Sequence, residues 1–184
     1  MDLDKAIQSR RSVRKFSKKK PNWRTIIECI DSARFAPMAG NNYTLKFIIV
    51  EDEEKIRKIA ESCAQDFVGQ AKYLVVVCSN PSRPINAYAE KGNVFCRQQA
   101  GAAIQNFLLK ITESGLSTCW VGYFAEEQIK GILKVPKEVD IEAILPIGYE
   151  LEKPKTRRAK IDLNRILYFD EYKNSKMKKI HLIE

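Results

Sequence analysis

Residues 97–124 read RQQAGAAIQNFLLKITESGLSTCWVGYF. The first part has the length and composition of a long helix, with Ala102, Ala103, Phe107, Leu108 and Ile111 as its candidate buried positions. Its early turns, Ala100-Gly101-Ala102-Ala103, are small enough for another helix backbone to come close. Gly115 stands where a helix C-terminal glycine belongs, because glycine takes the left-handed conformation without a Cβ clash. Residues 117–124 are rich in β-formers (Thr118, Trp120, Val121, Tyr123) and predict a short strand. A buried helix feeding a buried strand is a scaffold, and its chemistry has to come from elsewhere in the chain.

On the N-terminal side, residues 2–8 predict a short helix with an acidic start. Arg10-Arg11-Ser12-Val13-Arg14-Lys15-Phe16 follows. Guanidinium forks suit a phosphate and a serine adds a short donor. A solvated basic turn is the other reading of the same residues. Asn22 is placed to cap a second helix, with Ile26, Ile27, Ile30 and Ala33 on its inner face and an end near Phe35, ahead of Pro37. The loop Ala36-Pro37-Met38-Ala39-Gly40-Asn41-Asn42 is small and turn-forming. It suits close approach to a flat ligand and equally suits an ordinary connection. Strands are predicted over 45–50, 73–78 and 141–149, and helices over 53–64, 85–90 and 126–133. Helices interleaved with four strands define an α/β or α+β domain, read as a single one over 1–184. The stretch from about 150 to 184 is basic and then aromatic, and exposed aromatics there call for packing on the body or on a second subunit.

Composition narrows the function classes. The chain has 184 residues, 45% hydrophobic and 30% charged, the balance of an ordinary folded domain. No window has the roughly 18 apolar residues of a membrane span. The N-terminus shows no apolar signal core, so a cytoplasmic location is expected, with no membrane partner. Five dispersed cysteines without a C-x-x-C pair read as buried thiols. The single histidine, His181, argues against a zinc site or a Cys/His nucleophile pair, and no metal is expected. No G-x-G-x-x-G or P-loop is present. A net charge of +9 permits an anionic ligand or nucleic acid, but no nucleic-acid motif accompanies it, so none is expected.

Four segments, in order, carry a resemblance. They are Arg10-Arg11-Ser12-Val13-Arg14; Ala36-Pro37-x-x-x-Asn41; Gln105-Asn106 leading to Gly115-Leu116-x-Thr118-x-Trp120-Val121-Gly122; and Pro146-Ile147-Gly148-Tyr149 followed by a basic tail. Together they resemble the nitroreductase family of flavin enzymes, from about Leu3 to Tyr172. The resemblance implies an α+β fold with a central, mainly antiparallel sheet flanked by helices. It implies an intertwined homodimer with the C-terminal arm on the partner and FMN in the interface groove. NADH or NADPH would reduce the flavin at N5, and a small-molecule acceptor such as a nitroaromatic or a quinone would then replace the donor over the same face.

By the same resemblance, Arg10 and Ser12 match contacts on the phosphate and ribityl side, with Arg11 offering mainly backbone. Arg14 matches the cation near flavin N1 and O2 that stabilises the reduced ring. Pro37, Met38, Ala39 and Asn41 match the loop that reaches the flavin from the other subunit. Cys119, Trp120, Val121 and Gly122 match the strand end passing near N5. Arg158 and Lys160 match a basic pair that closes on the phosphate. No protonating side chain is assigned. Tyr43 and Tyr123, like Trp120 and Phe124, read first as packing residues. The chain departs from the family at Met38, where a hydroxyl is common, at Tyr43-Thr44-Leu45, where Gln-Pro-Trp is common, and at Gln99, where an acid is common. A member with other flavin chemistry, such as dehalogenation or flavin fragmentation, and a non-catalytic FMN-binding protein are the alternatives. The short span 67–94 leaves little room for the extra lid such relatives carry.

Overall fold

The computed structural model describes residues 2–152 and 161–177. The chain divides into two units, residues 1–153 and 154–184. In the first, α1 (Leu3–Ser9) and α2 (Trp23–Ala33) lead to β1 (Leu45–Val50), α3 (Glu53–Cys63), β2 (Tyr73–Ser79), α4 (Ser82–Tyr88), α5 (Lys91–Glu113), β3 (Ser117–Thr118), α6 (Glu126–Leu133) and β4 (Asp140–Gly148). Helix starts are chemically marked. Asp2, Asn22 and Asp52 each turn a side-chain oxygen towards a first-turn N–H, those of Lys5, Arg24 and Lys55, which no helical carbonyl can reach.

The sheet runs β1-β2-β4-β3, with all three strand pairings antiparallel. This is the α+β arrangement the sequence predicts. Every residue of β2 is buried. Successive strand side chains point to opposite faces, so a strand buried throughout needs a helical layer on each side. Val75 and Val77, with Ala143, Leu145 and Ile147 of β4, meet Ile26 and Ala33 of α2 and Ala103, Ile104, Phe107 and Ile111 of α5. Leu74, Val76 and Ile144 face the other way, onto Ile56, Ile59 and Cys63 of α3, Ile129 of α6, and Val13 and Phe16. All five cysteines are buried, and burial pushes the Cys63 and Cys78 thiols up to about 11. Among the described residues no helix is long and apolar enough to cross a membrane.

Three elements differ from their sequence reading. On α2 the buried face is Ile26, Cys29 and Ala33; Ile27, about 100° further round the helix, is 46% exposed. The helix α5 starts at Lys91 rather than Arg97. Gly92 permits a close crossing: a Cβ there would lie 2.3–2.4 Å from backbone atoms of Pro84 and Ile85 in α4. The ladder of β3 covers only Ser117 and Thr118, although residues 117–124 predict a strand. Ser117 lies opposite Gly148, Thr118 opposite Ile147 and Val121 opposite Ile144, which sets Cys119 against Pro146. Proline has no N–H to give, so the ladder breaks there and resumes at Val121 as one isolated bridge.

In the second unit Asp162 caps a single 3-10 turn, Leu163–Arg165, by accepting from the Asn164 N–H. Tyr168 and Tyr172 pack edge to face at 5.1 Å, while Ile161, Leu163 and Ile166 expose apolar surface.

The α4–α5 crossing yields a prediction. Gly92→Ala inserts a methyl group where backbone already stands and lowers stability by about 1–3 kcal/mol, read as an earlier urea midpoint at unchanged slope.

Candidate functional site

The basic N-terminal segment is not a free turn. It forms a strap along the open edge of the sheet. The Val13 N–H donates to the Thr118 carbonyl at 2.9 Å, the Ser17 N–H to the Tyr149 carbonyl at 2.8 Å, and the Leu151 N–H to the Lys15 carbonyl at 3.0 Å. Ser12 bridges Thr118 in parallel, and Phe16 bridges Glu150. Val13 and Phe16 supply the driving force by burying themselves in the core on the α3 side.

That register sorts the strap by side. Val13 goes inward, and its neighbours Ser12 and Arg14 stay exposed. Alongside, Cys119 and Val121 go inward, and Trp120 and Gly122 stay exposed. Trp120 is 41% exposed and Tyr123 more so, which corrects their reading as packing residues; Phe124 is partly buried against the core. The structure therefore ties the N-terminal segment, with Ser12 and Arg14 exposed, to the strand end where Trp120 and Gly122 are exposed.

The arginines have different duties. Arg11 donates from Nε to Glu150 Oε1 at 3.1 Å and from Nη2 to Glu150 Oε2 in a forked ion pair. Its side chain is committed to Glu150, just past the end of β4. Glu150 was not singled out from sequence. It lies 139 positions from Arg11, and no local pattern signals the pairing. The Arg14 guanidinium stands 5.9 Å from the centre of the Phe67 ring, within cation–π range. Two buried side-chain oxygens have no partner among the described residues, Ser17 Oγ on the strap and Thr118 Oγ1 on the strand it pairs with. Arg158 and Lys160 fall outside the described residues.

The loop that carries Pro37, Met38, Ala39 and Asn41 is anchored elsewhere. Residues Ala39–Asn41 form one 3-10 turn in which Gly40 and Asn41 both have φ of +56°. Pro37, Met38 and Ala39 line a surface recess with Phe95, Gln98 and Gln99 of α5. Tyr43 is on the margin of exposure, and burial raises its phenol above its ordinary value. A wider groove lies where α1, α2 and α5 meet. It carries Asp2, Glu28, Asp31 and Glu113 against the single cation Lys110, the wrong sign for a phosphate.

The donor set of the strap fits a phosphorylated, electron-poor ring. Arg10, Ser12 and Arg14 bring donors and positive charge, and the nearby carboxylate, Glu150, is already neutralised by Arg11. The exposed Trp120 and Gly122 stand on either side of the buried Val121.

A model of the nitroreductase family matches residues 7–67 and 63–149, and the chain belongs to that family. It is 32% identical over 162 residues to a protein of Methanothermobacter thermautotrophicus named "Putative NADH dehydrogenase/NAD(P)H nitroreductase", covering 85% of this chain and 82% of that one. Among solved structures it resembles a nitroreductase family protein from Clostridium novyi NT, with 27% identity, a TM-score of 0.76 and coverage of 95% and 96% of the two chains. It also resembles oxidised iodotyrosine deiodinase bound to FMN and 3-iodo-L-tyrosine, with 25% identity, a TM-score of 0.76 and coverage of 88% and 97%.

The Arg11–Glu150 fork predicts that Glu150→Gln costs about 1–2 kcal/mol, since the pair is only partly shielded from solvent. That corresponds to a thermal midpoint lower by roughly 2–8 °C. The deficit should shrink in about 1 M salt, where the wild-type pair is screened.

Proposed function

We propose that the chain is an FMN-dependent oxidoreductase that passes electrons from NADH or NADPH to an oxidised small molecule, such as a nitroaromatic or a quinone. It works as a homodimer in the cytoplasm. The observation that carries the reading is the strap: its bond to Thr118 ties the segment that carries Ser12 and Arg14, both exposed, to the strand that leads to the exposed Trp120 and Gly122. FMN, when bound, supplies the two-electron step between donor and acceptor.

The chain's own residues then have distinct tasks. Arg10 and Ser12 hold the phosphate and ribityl side, joined by Arg158 and Lys160 from the C-terminal arm. Arg14 holds a fixed cation where negative charge collects on reduction, and so sets the redox poise. Trp120 and Gly122 border the open face, where donor and acceptor take turns. Pro37, Met38, Ala39 and Asn41 serve the partner subunit's cofactor. The apolar surface exposed at Leu163 and Ile166 supports an arm that packs on a second copy.

The likeness to iodotyrosine deiodinase supports a second reading, reductive dehalogenation. Between β2 and α5 the chain has only the seven-residue α4, which favours an open site and a broad acceptor range. Parallel turnover of a nitroaromatic, a quinone and a halogenated phenol separates the two.

The purified protein should show a flavin band near roughly 450 nm and release about one FMN per chain on denaturation. Arg14→Met should keep the flavin but lower its two-electron midpoint potential by about 30 mV or more, measured against reference dyes. A colourless protein that takes up no added FMN overturns the proposal.

A further inference from the structure

Behind the loop lies a buried polar chain that the site's own residues do not include. Gln99 is 4% exposed on α5, Thr44 7% exposed just before β1, and Cys96 2% exposed one turn earlier on α5. Gln99 Oε1 accepts twice, from the Thr44 N–H at 2.9 Å and from Thr44 Oγ1 at 2.6 Å. Its Nε2 donates to the Asn42 carbonyl at 3.2 Å. The Cys96 thiol donates to Thr44 Oγ1 at 3.1 Å. Every direction in this chain is fixed. The Thr44 backbone N–H can only donate, so the atom facing it must be the amide oxygen. The other end of the amide must then face the Asn42 carbonyl, which can only accept.

The link continues into the loop. The Asn42 N–H donates to the Ala39 carbonyl at 3.1 Å and closes the turn Ala39–Asn41. At the far side Tyr88 closes over Gly40, where a Cβ would lie 2.5 Å from the Tyr88 hydroxyl. Gly40 and Asn41 are the residue types that take positive φ most readily, and both stand at φ +56°. The loop is held from behind by Gln99 and from above by Tyr88.

We infer that Gln99 is a positioning residue: its amide, by accepting from Thr44 while donating to Asn42, fixes the backbone of the loop that carries Pro37, Met38, Ala39 and Asn41, and through it that loop's grip on the cofactor. The inference rests on the flavin reading above. In this chain the amide satisfies both neighbours, accepting from Thr44 and donating to Asn42. A carboxylate keeps the bonds from Thr44 but sets its second oxygen against the Asn42 carbonyl, acceptor against acceptor. Only the protonated acid restores the donor. Buried and facing a carbonyl, the carboxyl introduced by Gln99→Glu titrates above its ordinary value. The competent, protonated form is present below that raised pKa and is lost as pH rises through it. The groups bonded to Gln99 are Thr44, Asn42 and, through Thr44, the Cys96 thiol, and among them there is no carboxylate and no cation.

The test measures FMN affinity of the apoprotein by fluorescence quenching at pH 5.5 and pH 8.5, for wild type and for Gln99→Glu. The ratio of the two dissociation constants cancels the titration of the FMN phosphate itself. At pH 8.5 the variant should bind about 10- to 100-fold more weakly than wild type. At pH 5.5 the gap should close to within about threefold. A ratio near one at both pH values, or an equal loss at both, overturns the inference. Wild type that binds no FMN at either pH overturns the flavin reading instead. If circular dichroism shows the Gln99→Glu apoprotein unfolded, Gln99→Met replaces it. A loss of FMN affinity, equal at both pH values, with the thermal midpoint of the apoprotein retained, supports positioning; wild-type affinity overturns it.

Discussion

The burial of β2 on both faces is the constraint from which the rest of the first unit follows. Seven residues in a row without exposure leave no side of the strand for solvent. Helices must therefore cover the sheet twice, α2 and α5 on one face, α3 and α6 on the other. With both faces sealed, polar chemistry can emerge only at the edges of the sheet. At the β3 edge Pro146 interrupts the ladder on one side, and on the other the strap bonds to the Thr118 carbonyl and to Tyr149 and Leu151 past the end of β4. The strap lies at an edge because the core leaves its polar side chains nowhere else to go.

Charge then divides the strap. Three arginines within five residues would repel one another and scatter if all faced solvent together. The pairing of Arg11 with Glu150 withdraws one of them, and the same pair pins the strap to the chain just past β4. Arg14 is left exposed beside Phe67, and Ser12 beside Thr118, as the outward-facing donors. One ion pair thus serves both stability and the sign of the surface: it removes the carboxylate that would weaken anion binding and fixes the register that presents the remaining donors.

Much of this was legible in the sequence because it depends on local chemistry. The run Tyr73-Leu-Val-Val-Val-Cys is apolar throughout, and a doubly buried strand has to be. Asn22 announced its helix by the oxygen it offers to an unpaired N–H. Arg10, Ser12 and Arg14 stood out by concentration alone. The errors came where a residue's meaning depends on a distant partner. The start of α5 at Lys91 goes unread until the α4 backbone is placed against Gly92. Residues 119–124 read as strand until Cys119 is found opposite Pro146. Glu150 is one acid among many until Arg11 reaches it across 139 positions. Local propensity carries no information about those juxtapositions.

The departures at Met38 and Gln99 acquire a physical meaning together. A loop reading Pro37-Met38-Ala39-Gly40 has no side-chain hydroxyl or amide before Asn41. Whatever polar contact it makes short of that residue has to come from backbone groups, and backbone groups cannot reorient one at a time as a rotamer can. Their aim is set by the loop's dihedral angles as a whole. A loop of this composition therefore needs an external template. The directional chain from Cys96 through Thr44 and Gln99 to Asn42 is built from groups that each have only one way to face. In such a loop, specificity lies one layer behind the surface, in the side chain that decides which way the backbone points.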